Sequence, residues 1–192
     1  MFPARWLVPY LAACELALVA GFGVLLALGI QPSNAAVPLD DSYATIGGVQ
    51  YHAVEGRPID PSSPVDARIV KGLPAGERHA GKGHVLYGAF VTRANTADAT
   101  LPSASRIDLL DSAGHLHRPL RLSATNPYTY LPSKLAAGDL LPPAMGAPAA
   151  DNLAAGGQLL LYRVPAWQVR NGFFQLAVHD PLHPSTVGYV QF

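Results

Sequence analysis

The sequence predicts an all-β domain, built as a sandwich of two sheets, behind a single N-terminal transmembrane helix. Two observations support this prediction. The first thirty residues are almost uninterruptedly apolar, and about seven short segments with a strand-like pattern follow them. Gly, Pro, Asn and Asp separate these segments, which is typical of two-sheet sandwiches. We therefore expect an anchor at residues 1–31, a polar tether at 32–42 and an extracytoplasmic domain at 43–192.

The composition excludes several classes of protein. Of the 192 residues, 14% are charged, and 13 Lys and Arg balance 13 Asp and Glu. A nucleic-acid-binding protein normally carries a basic excess or stripe, so we expect no nucleic-acid partner. The single Cys excludes an intramolecular disulfide, a Cys-based zinc site and an iron–sulfur centre. No cofactor is predicted from these counts.

The apolar segment runs from Trp6 to Ile30, and Glu15 is its only formally charged residue. A helix needs roughly 20 residues to span a bilayer, so this segment is long enough to be a retained signal anchor. A cleaved signal peptide is the alternative, because Ser33 and Ala35 would form a small-residue cleavage site.

The flanking charges predict the orientation of this span. Arg5 precedes it, and the first charges after it are Asp40 and Asp41. The positive-inside rule then places the N-terminus in the cytoplasm and the C-terminal domain outside the cytoplasmic membrane.

A lipidated N-terminus at Cys14 is a further alternative. Leu11–Cys14 reads as a bacterial lipobox. Its position disfavours lipidation, because only Trp6–Tyr10 forms the apolar run before it and a mostly apolar stretch follows it.

The apolar segment also predicts a membrane-protein partner. Ala13, Ala17 and Gly21 recur every four residues, a spacing that lets two helices pack closely. Glu15 lies roughly on the opposite helix face, and a carboxylate at this depth costs at least about 2–3 kcal/mol. We therefore expect these four residues to contact a partner helix.

Strand-like segments occupy most of the remaining chain. The segment from His84 to Thr92 is apolar on both faces, as in a central strand. Asp111–Gly114 has the turn chemistry of a hairpin. The predicted strands are Ala44–Val54 with a bulge at Gly47–Gly48, His84–Thr92, Arg106–Leu110, His115–His117, Gln158–Val164, Phe173–Val178 and Val187–Phe192.

Two long connections interrupt these strands. Pro58–Gly83 is predicted as a polar connection, and Ser123–Gly157 as a longer one that is rich in Pro and Ala. We expect Tyr128–Leu131 and Leu140–Leu141 to join the second connection to a sheet, and Ser133–Asp139 to supply a helical turn or two.

The strand series resembles a known group of domains. The matching pieces are Gly83–Thr92, Ile107–Gly114, Asn126–Tyr128 and Gly156–Pro165, with Tyr162 where Phe is usual. They are similar to membrane-anchored or secreted immunoglobulin-like, telokin-like domains of unknown function from Gram-positive bacteria, actinobacteria especially. The resemblance covers about 110 residues at fold-determining positions. It implies an extracytoplasmic binding or assembly module and transfers no catalytic residues.

Gly76–Gly83 nearly matches the phosphate-binding P-loop pattern, but Gly83 stands where Ser or Thr would hold magnesium. A strand follows it instead of a helix, so we expect no phosphate site there.

Four histidines are candidate metal ligands. His115 and His117 leave the same face of one strand, with Leu116 expected on the core face. His179 and His183 lie near the end of another strand. They could bind copper or zinc together if the two pairs met in space.

No catalytic residues are predicted. The sequence has no G-x-S-x-G elbow, and Asp108 and Asp111 bracket a turn, where Asp is expected for local hydrogen bonds. The favoured function is a non-enzymatic accessory or assembly subunit of a membrane complex. A metal-handling ectodomain and a solute- or wall-binding module beneath the 123–157 connection are the alternatives.

Overall fold

The computed structural model describes residues 43–64, 66–142 and 157–192. The chain divides into two compact units, Met1–Ala35 and Ala36–Phe192, and every described residue belongs to the second. Within these ranges no helix is long and apolar enough to cross a bilayer, and the span predicted at residues 6–30 lies outside them. The described part is built mainly of antiparallel strands, which confirms the all-β prediction.

The described residues form three antiparallel sheets. The largest contains β1 (Tyr43–Ile46), β2 (Val49–Ile59), β3 (His84–Asn95), β8 (Leu140–Leu141) and β9 (Gln158–Pro165), with β3 pairing to β2, β8 and β9. The second has the order β11 (Val187–Gln191), β10 (Phe174–His179), β5 (Ile107–Asp111) and β6 (Leu116–His117). The third pairs β4 (Leu101–Pro102) with β7 (Lys134–Leu135). Short helices lie at α1 (Asp66–Ile69) and α2 (Ala166–Asn171), with a 3₁₀ turn at Ala75–Glu77.

Gly47–Gly48 forms the turn of a β1–β2 hairpin, so the predicted bulge there is wrong. Both glycines have positive φ, 58° and 82°, which a two-residue hairpin turn requires and which side-chain-bearing residues rarely adopt. The real bulge lies between Ala53 and Glu55. Because it shifts the register, Ala53 faces the interior whereas Ile59 faces the opposite side of the sheet.

The two larger sheets share one apolar interior. Tyr87 of β3 contacts Phe174 of β10, with ring centroids 4.7 Å apart. Burying a side chain of this size contributes about 1.5–3 kcal/mol. The largest members of the interior are Tyr51, Tyr87, Tyr130, Tyr162 and Phe174.

A second apolar cluster covers the outer face of the five-stranded sheet. The connection at residues 58–83 supplies several of the apolar side chains of this cluster, so the expectation of a simple polar connection is wrong. Arg57 of β2 fixes this connection to the sheet through a bidentate ion pair with Asp66, with N–O distances of 2.8 and 3.0 Å. The buried members are Ile59, Ile69, Val70, Leu73, Leu86, Phe90, Leu122, Leu159 and Leu161.

The second long connection joins the five-stranded sheet at both predicted points. The backbones of Tyr128 and Tyr130 hydrogen-bond to Leu159, and Leu140–Leu141 pairs with β3. The helical turn expected within residues 133–139 is absent from that described segment. It forms β7 and a turn with Gly138 at φ 78° instead.

Candidate functional site

Asp111 gathers two of the four predicted histidines at the β5–β6 hairpin. Its Oδ1 accepts hydrogen bonds from the backbone amides of Ala113 and His115, both at 2.9 Å. Its Oδ2 accepts from His117 Nε2 at 2.9 Å and from Gln168 Nε2 at 2.8 Å, with His115 Nδ1 at 3.3 Å. The carboxylate therefore joins the hairpin turn, β6 and helix α2.

The environment of Asp111 favours its ionised form. Burial alone raises the pKa of a carboxyl group, but the hydrogen bonds from His117 and from the amides of His115 and Ala113 outweigh it. The net result is a pKa below the ordinary value. The ionised carboxylate therefore stabilises the hairpin turn, because both of its oxygens accept hydrogen bonds from donors of the same domain.

The other two histidines pair with different carboxylates. His179 Nε2 lies 3.2 Å from Asp108 Oδ2, which also accepts from Arg106 at 2.7 Å. His183 Nδ1 lies 3.5 Å from Asp180 Oδ2.

The four histidines are not brought to one point. β6 and β10 flank β5 on opposite sides, so about 10 Å separates the backbones that carry His117 and His179. Across residues 43–64, 66–142 and 157–192, no group of three or more His, Cys, Asp or Glu side chains is arranged to hold a metal ion. Leu116, expected on the core face, is 50% exposed because β6 is a two-residue edge strand.

A buried arginine organises the opposite half of the domain, and the sequence analysis missed it. Arg93 is 2% exposed. Its guanidinium donates to Ser103 Oγ at 2.7 Å, Leu131 O at 2.6 Å and Ser133 Oγ at 3.2 Å, and stacks 4.4 Å from the Tyr130 ring centroid. Among the described residues no carboxylate pairs with it, so the charge is held by neutral acceptors and an aromatic face.

The position of Arg93 was readable in the alternation of β3. Ala89 and Val91 are buried on the interior face, and the two-residue period of a strand places Arg93 on that face as well. The predicted strand ends at Thr92, three residues before the observed end at Asn95, and so excludes Arg93.

Buried tyrosines form hydrogen bonds with the backbone of the interior. Tyr130 donates to the Ala104 carbonyl at 2.8 Å, while the Ala104 amide donates to Tyr51 Oη at 2.6 Å. Burial raises the pKa of Tyr51 and of Tyr162 well above the ordinary tyrosine value. These phenols thus act as hydrogen-bonding groups of the interior.

A cleft of about 450 Å³ opens between the 119–122 and 129–132 segments, beside β9. Its walls combine apolar groups of Leu120, Leu122, Tyr130 and Leu161 with polar surface, and Arg121 contributes a cationic side chain. The 129–132 segment belongs to the connection under which a solute site was predicted. The volume lies within the range of about 300–1,000 Å³ that small-molecule sites occupy.

The predicted partner-helix residues Ala13, Glu15, Ala17 and Gly21 lie outside the described residues. The P-loop-like segment contains the end of the 3₁₀ turn and leads into β3, as expected from the strand that follows it.

Comparisons with known proteins give only distant likenesses. No protein-family model matches the chain, and no curated protein matches its sequence. The yjhA protein from Bacillus subtilis superposes with a TM-score of 0.46 and 12% identity, covering 78% of this chain and 95% of that one. A conserved hypothetical protein from Bacillus anthracis gives 0.43 and 11%, covering 79% and 93%. At these values neither likeness identifies the fold or the function of this chain.

Proposed function

We propose that this chain is a non-enzymatic, immunoglobulin-like sandwich domain held on the outer face of the cytoplasmic membrane by its N-terminal helix. It serves there as an accessory or assembly subunit of a membrane protein complex. The helix at residues 6–30 anchors the chain, residues 32–42 form the tether, and residues 43–192 form the ectodomain.

The observation that carries this proposal is that three of the buried charged side chains in the described residues serve structural contacts. Asp111 accepts hydrogen bonds that stabilise the β5–β6 turn, and Arg93 joins β3 to two neighbouring segments. Asp66 attaches the 58–83 connection to the sheet through its ion pair with Arg57. Groups committed to structural hydrogen bonds are poor candidates for proton transfer, which favours a binding or assembly role over catalysis.

A solute-binding role is the second candidate, and the cleft beside β9 favours it. Its mixed apolar and polar walls and the cationic Arg121 suit an amphipathic ligand that carries an anionic group. Metal handling is less favoured, because His115 and His117 share Asp111 whereas His179 and His183 lie on Asp108 and Asp180. Metal analysis of the purified ectodomain distinguishes it from the other two roles.

Bulky substitution in the small-residue stripe is expected to release the partner. Gly21→Leu and Ala17→Leu would prevent close approach of a second helix, so the partners that co-purify with the wild type in mild detergent should be lost. Leu16→Ile is the matched control, since it keeps a branched apolar side chain at a position turned about 100° around the helix from both Ala17 and Glu15.

Substitutions of Glu15 report how its carboxyl group is accommodated. Glu15→Gln should be milder than Glu15→Leu if the group is protonated, and equally damaging if it pairs with a cation. If the Gly21, Ala17 and Glu15 variants all retain the wild-type partners, the helix is only a tether and the assembly role assigned to it is wrong.

A further inference from the structure

Two large apolar side chains are exposed around helix α2. Trp167 is 53% exposed within the helix, and Phe173 is 67% exposed just after it. The helix is otherwise fixed, because its Gln168 side chain is fully buried against Asp111. Gln168 thus ties α2 to the rest of the domain, while Trp167 and Phe173 are presented to the outside.

This helix lies at the end of the domain where β3 begins. Pro165 pairs with His84, and the amide of Ala166 donates to the Gly83 carbonyl at 2.9 Å. We call this the aromatic end, and it comprises residues 78–84, α2 and Phe173.

Cationic side chains accompany the aromatic ones. Arg170 is exposed three residues after Trp167, so the two share one helix face. Lys82 and Arg78 are exposed on the neighbouring 78–84 segment, with Glu77 next to it.

The opposite end of the domain has acidic loops instead. Asp98 and Asp139 are exposed there, and Asp139 meets the end of β3 through a hydrogen bond from the Asn95 amide. Asp180 lies nearby, against the Gly47 turn. Lys134 is an exposed basic residue at this end, and Asp60 is an exposed acidic residue beside the 78–84 segment, so the charge is distributed unequally along the strand axis but is not completely separated.

The path of the chain also points towards the aromatic end. β1 is antiparallel to β2, and β2 is antiparallel to β3, so the start of β1 at Tyr43 faces the end where β3 starts. Tyr43 pairs with His52, and His52 pairs with Thr92, so Tyr43 lies at the same position along the strand axis as Thr92. The stretch of β3 from His84 to Thr92 is about 27 Å long. A tether at residues 32–42 can span at most about 38 Å, which is enough to cover this distance.

We propose that the aromatic end rests on the phospholipid surface of the membrane that holds the anchor, with Trp167 and Phe173 among the headgroups. Lys82 and Arg170 face anionic headgroups, and the acidic end points away from the membrane. Trp is enriched at membrane interfaces because its ring is apolar and its N–H is polar. This inference rests on the proposed function, since it requires the chain to be membrane-anchored.

Trp167 itself provides the probe. The chain has two Trp residues, so the full-length Trp6→Phe variant carries Trp167 alone. This variant is reconstituted into phosphatidylcholine vesicles that contain phosphatidylglycerol, with or without phosphatidylcholine brominated near the headgroup end of its acyl chains. Flotation of the vesicles first shows whether the chain is membrane-bound.

We expect brominated lipid to quench Trp167, and dissolved iodide to quench it less in vesicles than after denaturation. Each basic side chain near an anionic surface strengthens docking about fivefold, so Lys82→Gln with Arg170→Gln should weaken it about 30-fold. Lys134→Gln, an exposed basic residue on β7, is the matched control and should leave the quenching unchanged.

Two outcomes would overturn the inference while the chain still floats with the vesicles. One is a Trp167 that is open to iodide and insensitive to brominated lipid. The other is a Trp167 that is shielded from both quenchers, which would mean that a protein surface, such as a second copy of this chain, covers it. Failure of the chain to float would instead contradict the membrane anchoring on which the proposed function depends.

Discussion

Replacing Arg93 with Ala is expected to lower the free energy of unfolding of residues 36–192 by about 3–4 kcal/mol. The guanidinium is buried and supplies donors to Ser103, Leu131 and Ser133. Without it these groups lose charge-assisted hydrogen bonds, and a cavity opens against the Tyr130 ring. Urea unfolding followed by circular dichroism measures the change.

Two further variants define what Arg93 contributes. Arg93→Lys should recover only part of the loss, because one ammonium group cannot reproduce the planar fork that reaches three acceptors. Arg121→Ala is the control, since Arg121 is exposed and its removal should change stability by no more than about 0.5 kcal/mol. An Arg93→Ala domain as stable as the wild type would contradict the structural role of the guanidinium.

Replacing Asp111 with Ala is expected to cost about 3 kcal/mol. The fully buried Gln168 amide would lose its acceptor, and the turn amides of Ala113 and His115 would lose theirs. Asp98→Ala removes an exposed carboxylate instead and should be nearly neutral.

The Asp111→Ala substitution should also reduce the loss of stability that the domain shows at acidic pH. The pKa of Asp111 lies below its ordinary value of 3.8, so the folded state binds protons less readily than the unfolded one. Its contribution is therefore complete above the unfolded pKa and is lost as the pH falls through the lower folded pKa. Unfolding at about pH 6 and about pH 3 should show a smaller drop for Asp111→Ala than for the wild type. An equal drop would mean that Asp111 is not ionised in a stabilising site.

Local sequence pattern predicts the regular strands of this fold well. The β5–β6 hairpin forms as expected, because Gly114 supplies the positive φ of 85° that its turn requires. β3 is central, as its apolar character on both faces predicts, and both of its faces are buried.

The connections were harder to predict because their apolar residues are few and not periodic. Ile69, Val70 and Leu73 sit within a polar stretch, yet they cover the outer face of a sheet that is distant in sequence. The double-glycine turn was misread as a bulge because the two arrangements share the same residue types, and only pairing between strands distinguishes them.

The candidate site shows the same division between local and long-range information. The contact of His115 and His117 with Asp111 is local, so neighbouring positions on a hairpin bring them together. The contact of Gln168 with Asp111 joins residues 57 positions apart, and no local pattern signals it. The separation of His179 from His117 likewise follows from strand order, which a single sequence does not contain.

Labelling of a cysteine in the β5–β6 turn tests the extracytoplasmic placement of the domain most directly. Cys14 is the only cysteine, so a full-length Cys14→Ala, Ala113→Cys chain carries a single thiol on an exposed turn residue. A membrane-impermeant maleimide is added to intact spheroplasts, and the protein is recovered from the membrane pellet. The account predicts labelling before permeabilisation, with the wild-type chain unlabelled because Cys14 lies in the apolar segment. Labelling of the Ala113→Cys chain only after the membrane is permeabilised would place the domain in the cytoplasm and contradict the account.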